Sequence, residues 1–122
     1  MTLQILKPRF IQTKDQELID IVTERSARII ISYLITHDTT YSKKIIQDTK
    51  VPLTTFYRII KELRRHGILT TQYIPFRVVG DNAVRTRTKV TCKISDFKLI
   101  MNSKGEIFIR FKLLDEDKIN HD

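Results

Sequence analysis

Apolar positions recur first at helical and then at strand spacing, and the change falls near Gly67. From Lys14, the residues Leu18, Ile19, Ile21 and Val22 form an apolar stripe, with Asp15 and Glu17 in the first turn, where the helix dipole favours negative charge. The pattern weakens over Thr23 to Ser26 and resumes with Ala27, Ile30, Ile31, Leu34 and Ile35, which predicts two consecutive helices divided near Glu24. A short third helix carries Ile45 and Ile46, with the Thr40 hydroxyl as its expected cap. Thr49-Lys50-Val51-Pro52 stops that helix, because proline disfavours helix in the residue before it and presets its own φ for a new first turn. In the next helix, expected over Leu53–His66, Phe56, Ile60 and Leu63 share one face. Leu53, Thr54, Tyr57, Arg58, Lys61 and Arg65 fall largely on the other. Gly67 ends it, since glycine takes the left-handed conformation without steric cost.

Beyond Gly67 the period shortens to two. Ile68 to Val79 reads as a strand, although Pro75 argues against a continuous central one, and Gly80-Asp81-Asn82 is a turn signal. Ala83 to Ile94 returns as a second strand in which Arg85, Arg87 and Lys89 alternate with Val84, Thr86, Thr88 and Val90. Three cations therefore project from one side of the hairpin, with Arg77 near the other side of its tip; this is either a solvated outer face or a wing that lies along a phosphate backbone or dips an arginine into the minor groove. Phe97 to Met101 and Ile107 to Leu113 flank Asn102-Ser103-Lys104-Gly105 as a second hairpin, which either extends the first or pairs with another subunit. The expected organisation is an arm over 1–13, a main domain over 14–94, a β-hairpin extension over 95–114 and an acidic tail over 115–122.

Charge sharpens this picture. The 122 residues carry a net +8; residues 1–42 balance to zero, residues 43–89 hold eleven basic against three acidic groups, residues 90–114 add +3, and the tail subtracts three. Concentration of the excess on the two-helix stretch and the strand pair after it favours a polyanionic partner. No apolar run approaches the roughly 20 residues of a membrane span, and the first ten residues lack the pattern of a secretory signal, so a cytoplasmic, nucleoid-associated location is expected. The single cysteine, Cys92, is expected to pack inside a strand. His37, His66 and His121 are scattered, and no metal or cofactor is expected.

A short helix, a tight turn and a longer helix with a basic outer face make the helix-turn-helix arrangement, whose second helix can lie in the DNA major groove. Glu17-Leu18-Ile19, Arg28-Ile29-Ile30, Lys44-Ile45-Ile46 and the run from Pro52-Leu53-Thr54-Thr55-Phe56-Tyr57-Arg58 to Gly67-Ile68-Leu69 resemble winged helix-turn-helix transcriptional regulators of the compact ArsR- or MarR-like, archaeal type. The resemblance spans roughly residues 15–92. It implies an α+β fold, a winged helix-turn-helix with a C-terminal β-hairpin extension, in which Leu53, Thr54, Tyr57, Arg58 and Lys61 face the groove. Pro52 departs from the pattern where a Ser or Thr cap is usual, and Ile46 where alanine is usual.

The expected function is sequence-specific binding of double-stranded DNA by a homodimeric transcriptional regulator. Arg58 matches guanine O6 and N7, and Thr54 and Tyr57 suit a thymine methyl or a phosphate. Lys43, Lys44, Lys50, Thr55, Arg64 and Arg65 are expected on the DNA backbone, and Arg77, Arg85, Arg87 and Lys89 on the wing, on the same side of the molecule as the recognition helix. Leu18, Ile19 and Val22, or the last hairpin, are candidate dimer contacts. A protein-interaction winged helix within a transcription assembly and an RNA-binding factor are the alternatives. An enzyme is not expected, because no nucleophile–base set, paired carboxylates or glycine-rich phosphate loop is present.

Overall fold

Chain order in the computed structural model, which describes residues 9–80 and 82–114, begins with strand β1 (Arg9–Thr13) and helices α1 (Gln16–Val22) and α2 (Arg25–His37). Strand β2 (Thr39–Tyr41), helices α3 (Ser42–Thr49) and α4 (Leu53–Arg65), and strands β3 (Leu69–Arg77), β4 (Val84–Cys92), β5 (Ile94–Met101) and β6 (Ile107–Leu113) follow. The first eight residues of the expected arm, Asp81 of the expected turn, His121 and the acidic tail 115–122 lie outside the described residues. The described residues form an α+β fold of four helices and two three-stranded antiparallel sheets, ordered β1-β6-β5 and β2-β4-β3. No helix among them is long and apolar enough to cross a membrane.

Local chemistry explains the helix boundaries. The Asp15 carboxylate caps α1 by accepting the Leu18 N–H at 3.1 Å, and α2 starts immediately after Glu24, so the weak stretch is a true break between helices. At the end of α3, Lys50 adopts a left-handed φ of 58° and its N–H returns to the Ile46 carbonyl at 2.9 Å. Val51, only 5% exposed, then pins the turn into the core before Pro52 begins α4. Apolar faces of all four helices meet there: Leu18, Ile30, Leu34, Ile45, Phe56 and Leu63 are buried together with Val90 and Cys92 of β4 and Ile109 of β6. Ile59 is also fully buried, widening the α4 core face beyond the expected three residues. Ile46 packs against this core half-buried.

Several expectations need correction. Thr40 is not a helix cap: it lies in β2 opposite Val90, and α3 starts after Tyr41 with no side-chain cap. A part of the expected arm is structured, since β1 pairs with β6, matching Ile11 to Phe111 and Thr13 to Ile109. The last hairpin does not extend the sheet of β3 and β4. It builds a second sheet with β1, because Lys93 makes an elbow at which the Cys92 N–H bonds the Asp38 carbonyl and the Lys93 N–H bonds the Ile68 carbonyl, and a bulge then follows between Ile94 and Asp96. The reading of Pro75 needs no correction: it argues against a central strand, and β3, which runs unbroken through Pro75, is an edge strand. Leu18, Ile19 and Val22 face the core at 2%, 6% and 2% exposure, so they are not available as a dimer contact.

Candidate nucleic-acid interface

Helix α4 presents its polar face outward because its apolar face is taken. With Phe56, Ile59, Ile60 and Leu63 inward, Leu53, Thr54, Tyr57, Arg58, Lys61, Arg64 and Arg65 are all exposed. Pro52 carries no N–H to leave unpaired, and its carbonyl accepts the Phe56 N–H at 2.8 Å, so α4 begins without a side-chain cap. One edge of this face borders the β3–β4 hairpin. There Tyr57, Ile60, Lys61 and Arg64 join Ser42, Thr71, Tyr73 and Thr88 around a groove of about 140 Å³. Arg64 ties the two walls together, its guanidinium donating to the Thr71 hydroxyl at 3.2 Å.

The expected contacts divide into groups. Tyr57, Lys61 and Arg64 line the groove, and Leu53 lies one turn before Tyr57 on the same side of α4. Lys43, Lys50 and Lys61 are exposed and have no ion-pair partner among the described residues. Thr54 is exposed too, while Thr55 is half-buried on the flank shared with Glu62, away from the groove. Lys44 instead pairs with Asp48 at 3.4 Å, and Asp48 also accepts the Tyr33 hydroxyl at 2.6 Å; that bond, then Lys44, holds the carboxyl below its ordinary range.

Arg58, the expected guanine reader, is already engaged. Its two terminal nitrogens donate to the Glu24 carboxylate at 2.7 and 3.1 Å, a bidentate pair that fastens α4 to the start of α2. Arg65 likewise pairs with Glu62 at 2.9 Å and with Glu17. His66 approaches Glu17, and ligand atoms of Glu17, Glu62 and His66 lie within 4.8 Å of one another. This is the only group of metal-competent side chains found among the described residues, and the Arg65 guanidinium already supplies its positive charge. Arg65 and Glu62 are an i,i+3 pair within α4, whereas Arg58 with Glu24 and Arg65 with Glu17 join residues far apart in the chain, and sequence spacing gives no sign of those two.

The Glu24 bond to Arg58 lowers the carboxyl below its ordinary value of 4.5, the hydrogen bond being the main cause. A lowered folded-state value means that the stabilisation is complete above the unfolded value and disappears as pH falls through the lowered one. Because both groups are about half exposed, the pair contributes at most about 1 kcal/mol. Glu24→Gln should therefore leave the acid limb of a Tm-versus-pH curve shallower than in the parent. Identical acid limbs would show that the pair adds nothing to stability.

The strand cations lie elsewhere. Val90 and Cys92 are buried, and strand alternation puts Thr86 and Thr88 on their side, toward α4; Arg85, Arg87 and Lys89 therefore form one row, as expected, but on the opposite face of the sheet. Cross-strand register repeats the result, with Gln72, Ile74 and Phe76 opposite the three cations and Thr71 and Tyr73 opposite Val90 and Thr88. On the outer face the Arg87 guanidinium covers the rings of Tyr41 at 4.2 Å and Phe76 at 5.1 Å. The expectation that these cations share a side with α4 is thus corrected for Arg85, Arg87 and Lys89. Arg77, opposite Val84, belongs to the α4 side. Tyr73, 69% exposed, was not anticipated there. Cys92 is buried, its thiol donates to the Ile94 carbonyl at 3.2 Å, and burial pushes its pKa up.

No protein-family model, curated protein or solved structure matches the chain.

Proposed function

We propose that residues 25–92 are a winged helix-turn-helix that binds double-stranded DNA in a sequence-specific manner and acts as a transcriptional regulator, with α4 in the major groove and the β3–β4 hairpin as wing. The order α2-β2-α3-α4-β3-β4 with strand order β2-β4-β3 supports the fold assignment. The observation that carries the function is the groove between α4 and β3, where Lys61 and Arg64 stand beside the hydroxyl groups of Tyr57, Thr71 and Tyr73. Cations position a phosphate backbone and hydroxyl groups accept or donate along it, while Leu53, Thr54 and Tyr57 reach base edges. Arg58 reads guanine only after releasing Glu24. Neutralising the competitor by Glu24→Gln should then raise affinity by up to about fivefold, the equivalent of an exposed ion pair.

Regulators with one recognition helix commonly bind as two-fold dimers on paired half-sites. Leu99 and Met101, exposed at 51% and 67% on β5, are the apolar surface for that contact. Fluorescence anisotropy with a duplex at rising salt tests DNA binding. Four phosphate contacts, from Lys43, Lys50, Lys61 and Arg64, should give log K falling with log salt at a slope of about −3.6. A flat response, or no binding at low salt, would sink the assignment. A light-scattering mass of one chain at the same concentrations removes the two-fold part alone.

A further inference from the structure

We propose that the outer face of the β2-β4-β3 sheet is a second DNA-binding surface, which takes the phosphate backbone of another duplex so that one molecule bridges two. The proposal rests on the assignment of α4 to the first duplex and goes beyond it. Its basis is the separation of two cationic surfaces by the sheet itself. Lys61 and Arg64 line the groove on one side, whereas Arg85, Arg87 and Lys89 stand in a row on the other.

Charge complementarity identifies the occupant. Side chains two residues apart on a strand are about 6.7 Å apart, so the row extends about 13 Å as a line of three cations suited to a phosphate backbone. Cross-strand register places Thr39, Tyr41, Thr70, Gln72, Ile74, Phe76 and Thr91 on the same face. The Arg87 guanidinium lies over the rings of Tyr41 and Phe76, contacts that restrict the side chain, so less side-chain entropy is lost when it meets a phosphate. Base stacking on the two rings is blocked by the same guanidinium, so the surface suits a backbone better than an unpaired strand.

A duplex immobilised on beads and a second, labelled duplex in solution separate the two surfaces. Protein retained on the beads reports the first site; label recruited through it reports bridging. The full chain should do both. Arg85→Glu with Lys89→Glu, which keeps the Arg87 stack intact, should be retained within about threefold of the parent yet lose at least about tenfold in recruited label. Arg85→Gln, Arg87→Gln and Lys89→Gln together should give the same split, with a thermal melt confirming that each variant is folded. Retention without recruitment by the parent overturns bridging alone, as does recruitment that persists in the variants. Loss of retention together with recruitment in a folded variant also overturns it, since the row would then belong to the first footprint. A parent chain that is not retained at all sinks the assignment of α4, and bridging with it.

Discussion

Replacing Phe56 by alanine is expected to cost about 3–5 kcal/mol of stability, the range for truncating a buried aromatic. Phe56 has no exposed surface, and it opens the buried face of α4 in the same core as Ile30, Leu34 and Ile45. The cavity left behind cannot be filled from α4 itself, because Ile59, Ile60 and Leu63 already occupy that face. For a chain of this size the loss corresponds to a fall in Tm of roughly 10–20 °C. Urea unfolding would show the same loss as a lower midpoint at unchanged slope. Tyr57→Ala is the internal control: it is 52% exposed, packs edge-on against Phe56 at 5.2 Å between ring centres, and should cost about 1 kcal/mol or less. Equal losses from the two substitutions would mean that α4 does not dock by the face assigned to it.

The second large effect concerns binding. Lys61→Glu combined with Arg64→Glu changes the groove by four units of charge and turns two attractive positions repulsive. Duplex affinity should fall by about two orders of magnitude near physiological salt, and the salt slope should become shallower by about 1.8 for the two lost contacts. Lys98→Glu combined with Lys104→Glu alters net charge equally but acts on the β5–β6 hairpin, away from the groove. It should leave affinity within about threefold, since exposed charges beyond a Debye length are largely screened. If both double variants weaken binding alike, attraction depends on net charge and the groove is not the site. The Arg64 bond to Thr71 is exposed, so folding should survive the first variant.

Much of the helical half is legible because its signals are local. The break at Glu24, the stop at Val51-Pro52 and the burial of Phe56, Ile60 and Leu63 follow from spacing and from proline and require no knowledge of distant residues. Strand β2 has three residues and no period of its own; it exists because β4 offers an edge to Thr39, Thr40 and Tyr41. The division into two sheets depends on the turn at Lys93, which alternation does not record. The face taken by Arg85, Arg87 and Lys89 was legible, however. Val90 and Cys92 carry the apolar signal of β4 at even positions, so cations at odd positions had to point away from the core. Ion pairs such as Arg58 with Glu24 join residues brought together only by tertiary packing, and single helical faces do not encode them.

The pairing of β1 with β6 sets a condition on how the chain folds. Arg9 lies opposite Leu113, and Thr13 opposite Ile109, so the partners come from opposite ends of the sequence. Such a contact closes a very long loop, and its entropy must be met before any hydrogen bond rewards it. On the ribosome, β1 emerges well before β6 and waits for that edge until β6 has been made, while the neighbouring α2-to-β4 elements can already assemble around Phe56. Closure of the second sheet is thus the late event, and β1 finds its place long after it is synthesised.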